Sequence, residues 1–193
     1  MDIKLSDITQ RRAEMLGEVG QAWVKALPDK VRQALADYGL TFVDSLPGGS
    51  ASYLAIVTDG SGAERILKVV MPTDLDVTAE IAGLQAAKGR GYVGVFATDA
   101  AKGIAVMERL GSPIADSGLA IQTQIERLTA ALQESWQADT KIQGLICGES
   151  KADWLENHIR HTPAKIGARF NAQMMHLAVD HIDARRGTWR KHD

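Results

Sequence analysis

Cysteine is nearly absent: Cys147 is the sole one among 193 residues. Such a chain can form no intramolecular disulfide, and a reducing, cytoplasmic setting is expected. Long apolar runs are missing too. None approaches the roughly 20 residues of a membrane-spanning helix, and the opening MDIKLSDITQRR lacks the apolar core of a secretory signal. No membrane partner is therefore expected. Charge is close to balanced, at a formal net −2, which argues against a dedicated nucleic-acid binder. Neither an internal repeat nor a low-complexity stretch occurs. What remains, 45% hydrophobic and 24% charged residues, is the make-up of a globular protein able to bury one large core or two small ones.

Apolar spacing predicts a first helix over about Ile8 to Leu27, with Met15, Leu16, Val19, Ala22, Trp23, Ala26 and Leu27 at helical spacings and Pro28 as its end. DKVRQALADYG reads as a second helix stopped by Gly39. LTFVDSL and SYLAIVT then read as strands joined through PGGSA. The turn signal DGSG (Asp59–Gly62) returns ERILKVVM antiparallel. A helix follows in TDLDVTAEIAGLQAAKGRG, with Thr73 as its cap and Gly89 or Gly91 as its stop. YVGVFATD and GIAVMERL are two more strands around DAAKG.

From Ser117 onward only helices are expected. Ile121, Ile125, Leu128, Leu132 and Trp136 form an apolar stripe. SKADWLENHIRH reads as another helix, and PAKIGARFNAQMMHLAVDHIDARR as one long helix with Phe170, Met174, Leu177, Ala178 and His181 on one face. The expected class is α+β: N-terminal helices, a five-stranded antiparallel sheet with one helix between strands three and four, then helices alone. The turn-rich GSPIADSG suggests a boundary, giving domains 1–111 and 112–193.

RILKVVMP (65–72) carries a lysine inside an apolar strand, where an ammonium is rarely buried without a partner. Glu80, on the helix after it, shares a face with Val77 and Leu84 that must point towards the sheet, so it can neutralise Lys68. PGGSAS (Pro47–Ser52) is a small-residue turn whose backbone N–H groups can approach a phosphate closely. Each feature alone has a plain reading: an ordinary hairpin, an edge lysine with its head in water, a solvated glutamate. Together, in the order glycine turn, strand, hairpin, lysine strand, glutamate helix and two strands, they match the nucleotide-binding lobe of a kinase.

The resemblance is specific. GQAWVKALP (Gly20–Pro28), GLTF (Gly39–Phe42), GGSAS (Gly48–Ser52), ILKVVMP (Ile66–Pro72), AEIAGLQAAKGRGYVGVFATD (Ala79–Asp99) and AVMERL (Ala105–Leu110) resemble the N-terminal part of the aminoglycoside and hydroxyurea antibiotic resistance kinases. That group contains the streptomycin 6-phosphotransferases and has a protein-kinase-like fold. The match is clearest from Gly17 to Gly111, weaker through the later helices, and extends to the last residue. It implies ATP as cofactor, with Lys68 on the α- and β-phosphates, Glu80 fixing Lys68, and Gly48, Gly49, Ser50, Ala51 and Ser52 covering the phosphates. Ile66 would lie against the adenine, and Met107, Glu108 and Leu110 would form the hinge region at its edge. A small polar acceptor, aminoglycoside-like or hydroxyurea-like, and Mg²⁺ are implied for the full enzyme. The first helices correspond to an N-terminal extension packed on this lobe.

One element of the family is missing. Transfer needs an aspartate to orient the acceptor hydroxyl, and an asparagine and a second aspartate to hold Mg²⁺. The family draws the first two from a His-Gly-Asp loop, and that triplet occurs nowhere here. His181-Ile182-Asp183 has the His-x-Asp form, but Thr188 stands where the asparagine would fall and the segment continues a helix. The chain is thus expected to be an N-lobe plus the first helices of an incomplete C-lobe, with no identifiable catalytic or metal-binding residue and negligible activity alone. Exposed helix faces could then drive self-association. A non-catalytic nucleotide-binding module and a gene remnant are the alternatives. His176 and His181 are five apart and do not share a helix face as zinc ligands would. Cys147 has no evident activating partner, and the basic residues Arg185, Arg186, Arg190 and Lys191 occur among Asp180, Asp183 and Asp193 as on a solvated helix end. Trp136, Trp154 and Trp189 are expected to pack.

Overall fold

In the computed structural model, which describes residues 1–72, 77–138, 147–166 and 171–186, two helices precede a sheet. They are α1 (Asp7–Met15) and α2 (Glu18–Asp37). The strands β1 (Thr41–Ser45), β2 (Ser52–Thr58), β3 (Glu64–Val70), β4 (Val95–Asp99) and β5 (Ile104–Glu108) form one sheet in the order β1-β2-β3-β5-β4, each neighbouring pair antiparallel. Helix α3 (Val77–Ala87) lies between β3 and β4 in sequence, so the fold is the expected α+β arrangement. A 3₁₀ turn (Ile114–Asp116) and α4 (Ile121–Ser135) follow, then α5 (Gly148–Ile166) and α6 (Ala172–Arg186). By compactness the chain divides into two units, Met1–Gly144 and Leu145–Asp193.

Within the first unit, one sheet face is sealed. Tyr53, Ala55 and Val57 of β2, Leu67 and Val69 of β3, and Ile104 and Val106 of β5 alternate onto this face. They pack against Trp23, Leu27, Val31 and Ala34, which recur every three or four residues along α2. The Trp23 indole N–H also donates to the Val70 carbonyl at 3.0 Å, tying α2 to the end of β3. Helix α2 ends as its sequence predicts. The N–H of Gly39 bonds the Ala36 carbonyl and that of Leu40 the Leu35 carbonyl, the paired bonds of a Schellman stop.

The first helix differs from expectation. Pro28 lies inside α2 rather than at a terminus, and the break falls earlier, at Gly17, which sits at φ +59°. A proline in a helix interior forfeits one hydrogen bond at a cost of about 3 kcal/mol. The continuous buried stripe of Trp23, Leu27, Val31 and Ala34 on both sides of it offsets that loss. Met15 and Val19, expected inside, are exposed, and α1 buries Thr9 and Ala13 instead. Thr73, expected as the α3 cap, lies outside the described residues.

Helix α4 belongs to the first unit because the chain leaving α3 lies directly on it. A Cβ at Gly91 would fall 2.2 Å from the Ala131 carbonyl oxygen. Its predicted stripe exists, but Ile121, Ile125, Leu128, Leu132 and Trp136 are 51–77% exposed.

The second unit is a helical pair. The expected single helix from Pro163 to Arg186 is two: Pro163 lies in α5, and the Asn171 side chain accepts from the N–H groups of Gln173 and Met174 to start α6 afresh. Val179 and Ile182 are the buried residues of α6, whereas Met174, Leu177 and His181 are exposed. Phe170 and Trp189 lie outside the described residues. Trp154 is not a core residue; it stacks on His158 at the surface, ring centroids 5.3 Å apart. Arg186 joins the two helices, reaching Asp153 and Glu156 on α5 and Asp183 on α6 within 2.6–2.9 Å. The Arg160 and Arg186 hydrogen bonds hold the Glu156 carboxyl below its ordinary pKa.

Because Pro28 interrupts the ladder of a helix that packing holds together, Pro28→Ala should stabilise the protein by about 1–3 kcal/mol. A higher urea midpoint checks this; an unchanged or lower one would mean that the pyrrolidine ring contributes packing that outweighs the lost bond.

Candidate functional site

The sheet's second face is not covered by α2. Strand alternation puts Ile66 and Lys68 of β3 on it, and the register sets Leu54 and Ala105 beside Lys68 and Ile56 and Met107 beside Ile66. Ile66 and Ala105 are buried, at 7% and 3% exposure, while Leu54, Ile56 and Met107 are half-buried. An apolar platform therefore adjoins a single ammonium. Leu54, Ile56 and Ala105 escaped the sequence reading, although two of them were within its reach. The hairpin around Asp59–Ala63 fixes the pairing of β2 with β3, and counting back from it sets Leu54 opposite Lys68 and Ile56 opposite Ile66.

Lys68 Nζ is paired with the Glu80 carboxylate. The lysine side chain is 18% exposed and the glutamate 47%. Glu80 stands in the first turn of α3, where the helix dipole favours a negative charge. Ile81, Ala82, Ala86 and Ala87 are buried positions of that helix. An ion pair this open to water contributes about 0–1 kcal/mol. A buried aliphatic side chain in place of the lysine would contribute about 1.5–3 kcal/mol. Stability thus gives no reason for a lysine here; a fixed ammonium does.

At the far end of β3 lies the glycine turn. Ser52 pairs with Val70, and the Met71 N–H bonds the Ala51 carbonyl at 2.9 Å, so the turn sits just past Lys68 along the ladder. Gly48 and Gly49 have φ of +146° and +75°, and residues 48–50 are exposed. Ser52 by contrast is buried, and a Cβ at Gly49 would come within 2.9 Å of its carbonyl and hydroxyl oxygens. At the opposite end Arg65 pairs with Glu108. The Glu108 side chain is taken up by the Gly94 N–H at 3.0 Å, and its own N–H bonds the Gly94 carbonyl. Leu110 is 63% exposed, and among the described residues its main chain makes no hydrogen bond.

The residues singled out in the sequence therefore fall along one strand direction. The Glu108–Leu110 segment comes first, then Ile66 with Met107, then Lys68 with Glu80, then Gly48–Ser52. From the Arg65–Glu108 row to the Ser52–Val70 row the span is about 17 Å at ordinary strand rise. The His181-Ile182-Asp183 triplet belongs to the second unit, inside α6, with Ile182 buried and Asp183 paired to Arg186; position 188 lies outside the described residues. Cys147 lies exposed beside the start of α5. A hydrogen bond with the Ser150 hydroxyl, at 3.2 Å, holds its thiol below the ordinary pKa, a partner that the sequence did not reveal. Among the described residues no group of three or more His, Cys, Asp or Glu could hold a metal ion, and no helix is long and apolar enough to cross a membrane.

Three curated relatives match the chain. A streptomycin 6-kinase of Streptomyces glaucescens is 34% identical over 98 residues, 51% of this chain and 32% of that protein. A streptomycin 6-kinase of Streptomyces griseus is 25% identical over 166 residues, 86% of this chain and 46% of the relative. A hydroxyurea phosphotransferase of Kitasatospora aureofaciens is 30% identical over 130 residues, 67% of this chain and 35% of the relative. The chain thus spans about a third to a half of the length of the curated relatives it matches. No family model matches it. The relatives support the antibiotic resistance kinase family that the Lys68 strand and its surroundings resemble.

The glycine turn makes a separate test of the geometry. Gly49→Ala forces an L side chain into a positive φ and against Ser52, and should cost about 1–3 kcal/mol of stability. Gly111→Ala, where an added Cβ meets nothing within 4 Å, should be close to neutral. Equal thermal midpoints for the two variants would show that the turn relaxes freely.

Proposed function

We propose that this chain is the ATP-binding portion of a phosphotransferase with an alcohol group as acceptor. The linear order along β3 carries the reading: an open main-chain segment, an apolar platform, a fixed ammonium and a glycine turn, in the sequence in which a nucleoside triphosphate presents its base edge, base face and phosphates. Ile66, flanked by Ile56 and Met107, would take the adenine face. The Glu108–Leu110 main chain would meet its edge. Lys68, held by Glu80, would meet the α- and β-phosphates, and the backbone N–H groups of Gly48–Ser52 would cover them. Bound ATP would supply the γ-phosphoryl group, with Mg²⁺ as its counter-ion.

The proposed nucleotide-binding part is residues 1–111 and the proposed beginning of a helical acceptor lobe is residues 112–193, although α4 falls within the first compact unit. The acceptor is a small polar molecule, aminoglycoside-like or hydroxyurea-like, by analogy with what the relatives are named for. No His-Gly-Asp triplet occurs among the 193 residues, so transfer by these residues alone would be negligible. That same observation favours the second reading, a nucleotide-binding module that performs no transfer. A cytoplasmic location accords with both.

Charge-assisted contacts to a phosphate contribute about 1.5–3 kcal/mol. Lys68→Ala should therefore weaken ATP binding about ten- to a hundred-fold, measured by titration calorimetry, with the circular dichroism spectrum unchanged. Wild-type affinity in that variant would refute the site. Incubation of the chain with labelled ATP and streptomycin or hydroxyurea should give no phosphorylated product above background, and turnover would show that a catalytic aspartate has been overlooked.

The exposed stripe of α4 is proposed as a self-association surface. Sedimentation should show a concentration-dependent oligomer that Leu128→Glu dissociates. A concentration-independent monomer would remove this part of the proposal.

A further inference from the structure

Thr9 is polar, 1% exposed and forty residues distant in sequence from the glycine turn. A helical threonine commonly satisfies its hydroxyl on a carbonyl of its own helix. Thr9 instead places Oγ1 3.1 Å from the Gly49 carbonyl oxygen and 3.4 Å from that of Ser52. Ser6 backs it: the Ser6 hydroxyl lies 2.9 Å from Thr9 Oγ1, accepts from the Thr9 N–H at 3.2 Å and is 3.5 Å from the Gly49 carbonyl. With one proton on each hydroxyl, the two shortest contacts are both made when Thr9 donates to Gly49 and Ser6 donates to Thr9. A second tie runs close by, where the Lys4 N–H donates to Ser45 Oγ, itself 2.8 Å from the Tyr53 hydroxyl.

The direction of the Thr9 bond has a consequence for the turn. In a trans peptide the carbonyl and the N–H point opposite ways, and among the described residues no peptide is cis. Drawing the Gly49 carbonyl towards α1 therefore turns the Ser50 N–H away from α1. Helix α1 lies on the sealed side of the sheet, where its Ala13 joins the core cluster. The other side is that of Lys68. Packing does not require a hydroxyl at position 9, since a valine would fill the same volume.

We infer that Thr9, supported by Ser6, is a positioning residue for the phosphate side of the nucleotide site: it holds the glycine turn with its Ser50 N–H facing the Lys68 side. The inference rests on the nucleotide reading above. The N-terminal segment is then part of the binding apparatus and not only a cover for the core.

The test compares dissociation constants of the 193-residue chain for ATP and for adenosine, which lacks phosphates. Thr9→Val should weaken ATP about five-fold, the equivalent of one hydrogen bond, and leave adenosine unchanged. Thr9→Ser, which keeps the hydroxyl, should restore ATP affinity. Ser6→Ala should give a smaller loss in the same direction, and it carries the test should Thr9→Val fail to fold. Equal losses for ATP and adenosine would overturn the inference, because Thr9 would then be merely structural. Wild-type ATP affinity in both Thr9→Val and Ser6→Ala, with Lys68→Ala impaired, would overturn it and leave the nucleotide reading standing. If Lys68→Ala binds ATP as tightly as wild type, the nucleotide reading fails and the inference falls with it.

Discussion

An ammonium set among Leu54, Ile66 and Ala105 needs a counter-charge, and Glu80 provides it from a different element of the chain. This one pair links α3 to the middle of the sheet on the face that α2 leaves open. Its energy is small, because water still reaches the carboxylate. Its effect is on position: a lysine with four rotatable bonds is confined to one direction, and α3 is confined to one rotation, with Glu80 on the sheet and Ile81, Ala82, Ala86 and Ala87 buried. Remove the carboxylate and the lysine loses its fixed direction, while burial of the α3 apolar positions and the Gln85–Thr98 hydrogen bond still hold the helix.

That core lies on the opposite face, which is why the lysine face can stay half-open. Trp23, Leu27, Val31 and Ala34 close one side of β2, β3 and β5 completely, so most of the fully buried apolar residues of the sheet lie on that side. An antiparallel sheet with one sealed face can present the other to water or to a ligand. The rim of the open face is braced from behind: Trp23 holds the Val70 carbonyl at one end of β3, and Thr9 holds the Gly49 carbonyl in the turn beside it. Both ties run from the N-terminal helices to backbone oxygens. The two helices therefore do more than bury apolar surface; they set main-chain directions where the sheet meets the turn.

What could be read in advance follows from the range of the forces involved. Strands β2 and β3, the tight turn between them and the stop at Gly39 were legible because period-two alternation and turn chemistry are local. The Lys68–Glu80 pair was legible because a lysine inside an apolar strand calls for a nearby carboxylate, although α3 buries Ile81, Ala82, Ala86 and Ala87 and leaves Glu80 exposed and Leu84 half-buried, not inward on one face as expected. Pro28 misled because tertiary burial of an uninterrupted stripe outweighed a local penalty. The start of α6 was missed for the opposite reason: Asn171 is a strong cap inside what looked like continuous helix, and apolar spacing alone set the wrong face, Met174 and Leu177 in place of Val179 and Ile182. The bond from Thr9 to Gly49 had no sequence signal at all. Nothing in a threonine on a short helix states which carbonyl, forty residues on, will receive its proton.

If ATP occupies the open face, the division of labour within the fold carries a kinetic consequence. The groups gathered along β3 meet the adenine and the α- and β-phosphates, which change little between the bound substrate and the transition state. Interactions that are equally strong in both states lower the concentration of ATP needed but do not raise the rate of the bound complex. Rate comes from groups whose contacts strengthen as charge develops at the γ-phosphoryl and the acceptor hydroxyl. On that reading the described residues would provide the first kind of contact at Lys68, at Ile66 and in the glycine turn, and no aspartate loop of the second kind. A nucleotide lobe built this way would retain its affinity when separated from the chemistry it serves. The same sheet is therefore equally suited to an enzyme's substrate site and to a sensor that only binds, and which of the two it serves depends on whether an aspartate is brought to the γ-phosphate side of Lys68.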